Sequence, residues 1–174
     1  MAILVSFSGL PGVGKTTVSK ILSARCKAVH LRVDSVEAAL QGSALNIHPA
    51  EDAGYLAIAS IAKDNLRLGF DVIADTVNPI EITRNLWTQT AAAASAQLLN
   101  VEVICSDTDV HRKRVEARSS DIEELIVPDW EAVSKREFEQ WRTDRLILDT
   151  SVSSIDECAE TIALEMGRLR QKAW

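Results

Sequence analysis

Eight residues near the start of the chain carry its strongest chemical signal. Gly9-Leu10-Pro11-Gly12-Val13-Gly14-Lys15-Thr16 has the spacing Gly-x4-Gly-Lys-Thr, which is that of a phosphate-binding loop. Three glycines in these eight positions let the backbone curl with its N–H groups turned inward around an anion. Lys15 is placed to reach the outer phosphates of a nucleotide, and the Thr16 hydroxyl is placed to bind Mg²⁺. Thr17 leads into a helix whose positive N-terminus faces the same anion. The flanks agree. Ala2 to Phe7 is a nearly continuous apolar run, as a strand buried on both faces should be. Val18, Ile21 and Leu22 then fall on one helix face.

Three later segments hold residues that could work beside this loop, because chemistry in parallel sheets gathers at the carboxyl ends of the strands. Asp34 follows the apolar stretch ending Leu31-Arg32-Val33. A carboxylate there can take the proton of an attacking hydroxyl or hold Mg²⁺ through water. It can equally be the N-cap of a helix starting at Ser35. Asp75 ends Val72-Ile73-Ala74, the pattern that positions Mg²⁺ in phosphate-loop enzymes. Asn78, Arg84 and Trp87 come next, and Arg84 and Trp87 share a helix face. They could grip an anionic or aromatic substrate; Arg84 solvated and Trp87 in the core is the competing reading. In the basic helix around Arg112, Arg114 and Arg118, the last two project on one face. Such a face is commonly just solvated. Here it could also close over a triphosphate, exclude water and stabilise transferring charge, with Val115 and the loop beyond Arg118 as hinge. His30, His48 and His111 lack partners at metal spacing.

The elements needed to position these residues alternate along the chain. Strands are predicted at 2–7, 28–33, 70–74, 98–105 and 146–148. Helices are predicted after the loop, at 34–41, 51–68, from Pro79 through the Ala91 to Ala94 tract, at 107–118, 130–141 and 155–170. Alternation of this kind means right-handed crossovers and a three-layer α/β/α arrangement around a parallel sheet. No linker divides the 174 residues, so one domain over 1–174 is expected.

Composition narrows the class. Hydrophobic content of 47% and charged content of 25% describe a globular protein. No stretch reaches the roughly 20 apolar residues that span a bilayer, and the N-terminus runs into the first strand without a signal-peptide pattern. Cys26, Cys105 and Cys158 are widely separated, as reduced thiols of a cytoplasmic protein would be. A net charge of −6 argues against duplex nucleic acid as partner. The four tryptophans, Trp174 among them, fit a partner surface or buried packing equally well. None of the five asparagines is followed by Lys, so a guanine-reading Asn-Lys-x-Asp motif is absent.

The order of these features resembles the small phosphate-loop kinases, whose fold is like that of adenylate kinase. Gly9 to Thr17, Asp34, Asp75 to Arg84, Arg112 to Arg118 and the tail Trp130…Arg136…Phe138…Trp141…Asp144-Arg145-Leu146…Asp149-Thr150 resemble the predicted kinases that carry an AAA-domain label. These are similar to chloramphenicol phosphotransferase, gluconate kinase and the kinase half of polynucleotide kinase. The resemblance implies a P-loop NTPase fold with sheet order 2-3-1-4-5 and a short basic lid within 107–128. It implies Asp34 as acceptor base, Arg114 and Arg118 on the moving phosphates, and adenine near Arg112 and Thr150. Gly42 to Gly54 lies where acceptors are usually held.

The expected activity is Mg²⁺-dependent transfer of the ATP γ-phosphate to a hydroxyl of a small molecule. A polynucleotide 5′-hydroxyl kinase or nucleotide kinase shares the same core. An ATPase or nucleotide switch without an acceptor is the alternative of another class. The chain has no room for the helical lid domain of a hexameric remodelling machine, so a monomer or homodimer is expected.

Overall fold

The structure, a computed structural model, describes residues 1–44, 46–122 and 127–172. Its frame is set by β1 (Ile3–Ser8), which is buried along its whole length. A strand with no polar face must lie at the centre of a sheet covered on both sides. It does: β1 pairs in parallel with β3 (Val72–Asp75) on one side and β4 (Gln97–Ile104) on the other. Beyond them lie β2 (Val29–Arg32) and β5 (Leu146–Asp149). The order β2-β3-β1-β4-β5 is the 2-3-1-4-5 implied by the resemblance.

The pleat of β1 sends alternate residues to opposite layers. Ile3, Val5 and Phe7 pack under α1 (Lys15–Cys26) and α7 (Ile155–Lys172), with Val18, Leu22, Ile162 and Met166 completing that core. Leu4 faces the other layer, built on α2 (Val33–Gln41), α3 (Ala53–Arg67) and α4 (Glu81–Ala93), where Ile58, Leu66 and Trp87 are fully or almost fully buried. All strand carboxyl ends therefore reach the same edge, and the loops that leave β1, β2 and β3 converge there.

Two short helices follow β4. α5 (Thr108–Glu116) is capped by Asp107, whose side chain accepts from the Val110 amide at 3.0 Å. α6 (Trp130–Ser134) is capped by Asp129, which accepts from the Ala132 amide at 2.8 Å. The helix expected over 130–141 thus stops at Ser134. Its second half is drawn away by tertiary contacts: the Glu139 amide bonds the Pro79 carbonyl at 2.8 Å, and Glu139 Oε2 accepts from the Glu81 amide, also at 2.8 Å. Long-range satisfaction of the first turn of α4 outweighs local helix propensity. No helix among the described residues is long and apolar enough to cross a membrane. Trp174 lies outside the described residues, as does the middle of the expected lid (123–126).

Candidate active site

The loop between β1 and α1 owes its shape to glycines at two points of close approach. Gly9 has φ +137°, and a Cβ there would meet the Val103 carbonyl oxygen at 2.2 Å. Gly12 has φ +85°, and a Cβ would strike Val115 Cγ2 at 2.5 Å. Side chains are excluded at both, so the loop can lie directly against β4 and α5. Two side-chain hydrogen bonds fix it from outside. His111 Nε2 on α5 lies 2.8 Å from the Pro11 carbonyl, which makes that nitrogen the protonated one. Thr150 Oγ1 donates to the Val13 carbonyl at 2.8 Å.

An open cleft of about 830 Å³ lies over this loop. Pro11, Gly12, Gly14, Lys15, Thr16 and Thr17 form its floor. Lys15 is buried and its ammonium donates to the Leu10 carbonyl at 2.8 Å. Burial pulls its pKa down to about 8, and the facing carboxylates of Asp75 and Asp34 only partly offset this. A phosphate group bound beside it would restore the charge. Above about pH 8, anion binding must then take up a proton, so nucleotide affinity should fall by up to about tenfold per pH unit. Below that pH this group contributes no slope. For folding the sign is opposite: between pH 8 and 10.5 the unfolded chain holds more protons than the folded one, so the penalty that the buried Lys15 charge places on the folded state shrinks as pH rises. Calorimetric titration with a non-hydrolysable ATP analogue from pH 6.5 to 9.5 checks the first slope. A flat profile would mean the ammonium does not meet the nucleotide.

Asp75 ends β3 and is 3% exposed. Burial opposes its ionisation, but His30, the Lys15 charge and the Thr16 hydroxyl together hold its carboxyl below the usual range. Its Oδ2 stands 3.5 Å from His30 Nε2 and has no hydrogen-bond partner among the described residues. An orphaned, ionised, buried oxygen beside a threonine hydroxyl suits Mg²⁺, which binds through one or two protein oxygens, phosphates and water. Among the described residues no three His, Cys, Asp or Glu side chains gather at one point.

Asp34 also lines the cleft. It is not a helix cap. α2 begins at Val33, the capping position is Arg32, and Asp34 lies inside the first turn. Its Oδ2 faces Arg32 Nη2 at 3.4 Å and Arg118 Nη2 at 3.9 Å. Arg118 thus enters the cleft from beyond α5. Arg114 also lines it, but its guanidinium is tied to Thr150, donating to Oγ1 at 2.7 Å and to the carbonyl at 3.0 Å. Thr150 relays that contact to the loop.

Several sequence expectations are corrected here. Asn78, Arg84 and Trp87 do not line the cleft. Asn78 is fully buried, donating to Ser6 Oγ and the Phe7 carbonyl and accepting from Trp87 Nε1 at 2.9 Å. Arg84 is 6% exposed; it donates to the carbonyls of Asn78, Pro79, Glu139 and Gln140 and stacks on Trp141 at 4.3 Å. Its helix face turns inward, and the guanidinium clasps two chain segments. Arg112 is exposed and paired with Glu116 at 2.8 Å, away from the cleft. Val115 is no hinge: it is buried against Gly12. Arg84→Met should cost about 2–4 kcal/mol, since four carbonyls lose their donor in a buried place. At about 2–4 °C per kcal/mol this lowers Tm by roughly 5–15 °C. Thermal unfolding reads it, while nucleotide affinity at 25 °C should hardly move.

Other cleft residues had no assigned role in the sequence. Arg32, Lys20, Asp121, Glu37, Tyr55 and Arg136 all line it. Asp121, just past α5, reaches back to Arg32 Nη1 at 2.6 Å and Lys20 Nζ at 2.5 Å. Those bonds, from Arg32 first and Lys20 second, hold its carboxyl well below the usual range. The one available signal was Arg32 itself, a cation interrupting an apolar strand beside Asp34.

Residues 4–143 match the profile of a family described as AAA domain. The chain belongs to this family. No curated protein matches it. Among solved structures, a Chloroflexus aurantiacus protein with a provisional kinase assignment aligns with a TM-score of 0.72 at 17% identity, over 96% of this chain and 97% of that one. The Mycobacterium tuberculosis APS kinase in complex with AMPPNP and APS gives 0.66 at 20%, over 93% and 95%. A Sinorhizobium meliloti gluconokinase gives 0.64 at 15%, over 99% and 94%. At these identities the likeness is one of fold. This AAA-domain protein has the P-loop NTPase fold that those kinases share, over nearly its whole length.

Proposed function

We propose that the protein is an ATP-dependent phosphotransferase that moves the γ-phosphate to a hydroxyl of a small molecule. The observation that carries this reading is a carboxylate, Asp34, that caps no helix and lines the same open cleft as Lys15. A simple nucleotide switch needs the loop but not a second carboxylate facing it. The triphosphate would lie on the amides of Gly12 to Thr17, with Lys15 on its outer oxygens. Mg²⁺, held by Thr16 and through water by Asp75, would supply charge neutralisation across the outer phosphates. Asp34 would orient the acceptor hydroxyl and take its proton as the new oxygen–phosphorus bond forms. The bond from the γ-phosphorus to its bridging oxygen breaks, and ADP leaves. Arg118, and Arg114 with its Thr150 anchor, would face the equatorial oxygens of the moving group. Adenine would lie toward Ile155, at the start of α7.

The test is ADP formation by the purified protein with MgATP, with and without each member of a panel of sugars, sugar acids, nucleosides, antibiotics and 5′-hydroxyl oligonucleotides. A low background that rises with one class of acceptor supports a kinase. Steady hydrolysis indifferent to every acceptor supports an ATPase and removes Asp34 as acceptor base.

A further inference from the structure

Arg32 is the least explained charge in the cleft. It sits at the carboxyl end of β2, is 8% exposed, and its Nε has no hydrogen-bond partner among the described residues. A buried guanidinium is tolerated only with anions at hand. Arg32 has two among the described residues. Asp34 is 3.4 Å away and is committed, in the reading above, to the acceptor hydroxyl. Asp121 is nearer, at 2.6 Å, but its side chain is 56% exposed and it belongs to the segment that follows the basic helix. A core arginine is thus neutralised from across the cleft by a surface residue.

Lys20 converges on the same Asp121 carboxylate at 2.5 Å. Two cations from different elements, α1 and the end of β2, therefore frame one oxyanion position at the cleft wall. Arg118 and Arg136 line the cleft as well. The opposing carboxyl, Glu37, is pushed toward its neutral form by burial and by Asp34. A planar fork suits carboxylate, sulfate and phosphate alike.

We propose that Arg32 and Lys20 form an oxyanion subsite beside Asp34, which Asp121 fills until substrate arrives. On this view, the phosphoryl acceptor is a compact hydroxy compound with a carboxylate, sulfate or phosphate group close to the reacting hydroxyl. This rests on the kinase reading. Closeness follows from Arg32 itself: one terminal nitrogen faces Asp34 and the other faces the oxyanion position. Base and anion are spanned by a single guanidinium, so the two acceptor groups they serve must lie a few bonds apart.

The test uses the full chain loaded with Mg²⁺ and AMPPNP, so that the phosphate loop is filled, and titrates inorganic sulfate by calorimetry. Saturable sulfate binding is expected. It should weaken by roughly tenfold or more in Arg32→Gln and tighten by roughly threefold in the surface variant Asp121→Asn, where the internal competitor is gone. No sulfate binding to protein that still binds AMPPNP overturns the subsite and leaves the kinase reading standing. No AMPPNP binding overturns both. Turnover then assigns the subsite to the acceptor, with glycerol compared against glycerate and glycerol 3-phosphate, and ribitol against ribonate and ribose 5-phosphate. A preference of about tenfold or more in kcat/KM for the charged members is expected. Equal or better turnover of the neutral members overturns the assignment.

Discussion

Lys15→Met should lower acceptor-dependent ADP formation by about three orders of magnitude while leaving Tm unchanged or raised. The first half follows from where the ammonium sits. It is the loop's only cation, and transfer spreads negative charge over oxygens in reach of it. Removing one well-placed charge from a preorganised site costs about 3–4 kcal/mol in the transition state, and a cation on a moving phosphoryl group belongs at the upper end. The second half follows from burial. Burial is the largest influence on this ammonium and lowers its pKa to about 8. Folding therefore works against the charge, and methionine supplies a stem of similar length without it. The hydrogen bond to the Leu10 carbonyl is lost, a modest cost set against relief of a buried cation. Activity and stability moving in opposite directions is the signature of a residue retained for function. Kinetics and thermal unfolding on the same preparation check it. Turnover within tenfold of the wild-type chain would remove Lys15 from the chemistry.

The features legible in the sequence are those whose signal is local. The phosphate loop, the buried β1 before it and Asp75 at the end of β3 are each written in a few adjacent residues. The strand–helix alternation then forces their carboxyl ends to one edge. What escaped depends on partners far along the chain. Arg84 and Trp87 share a helix face, as their spacing says, but spacing does not reveal which face turns inward. That was settled by the Glu139 and Gln140 carbonyls, 55 and 56 residues away. Contacts of Glu139 with Pro79 and Glu81 ended α6 at Ser134, against a helical pattern running to Trp141. Asp121 is 89 residues from Arg32, so no window could join them. His111 has no partner at metal spacing, and the Pro11 carbonyl it holds from α5 lies 100 residues away. The loop was readable; the groups that hold it in place were not.

Asp34→Asn should separate an acceptor base from a structural partner of Arg32 and Arg118. The substitution keeps size and an oxygen for Arg32 and Arg118, but an amide cannot take a proton. If Asp34 is the acceptor base, kcat should fall by about 10²–10⁴. MgATP should still bind, because the loop amides and Lys15 are untouched. A secondary effect has a defined direction. The Asp34 charge helps hold the proton on Lys15, so in the variant the fall in nucleotide affinity with rising pH should begin at a lower pH. Stability should change little. Asp34 lies in the first turn of α2 rather than at its cap, and a carboxylate near a helix N-terminus contributes about 0.3–1 kcal/mol. A large loss in kcat beside a small loss in Tm identifies the base. The opposite split, near-normal turnover with a clear drop in Tm, would make Asp34 a structural partner of Arg32 and Arg118. The proton would then need another acceptor at the same wall, and Glu37, whose carboxyl burial pushes up, is the side chain to replace next.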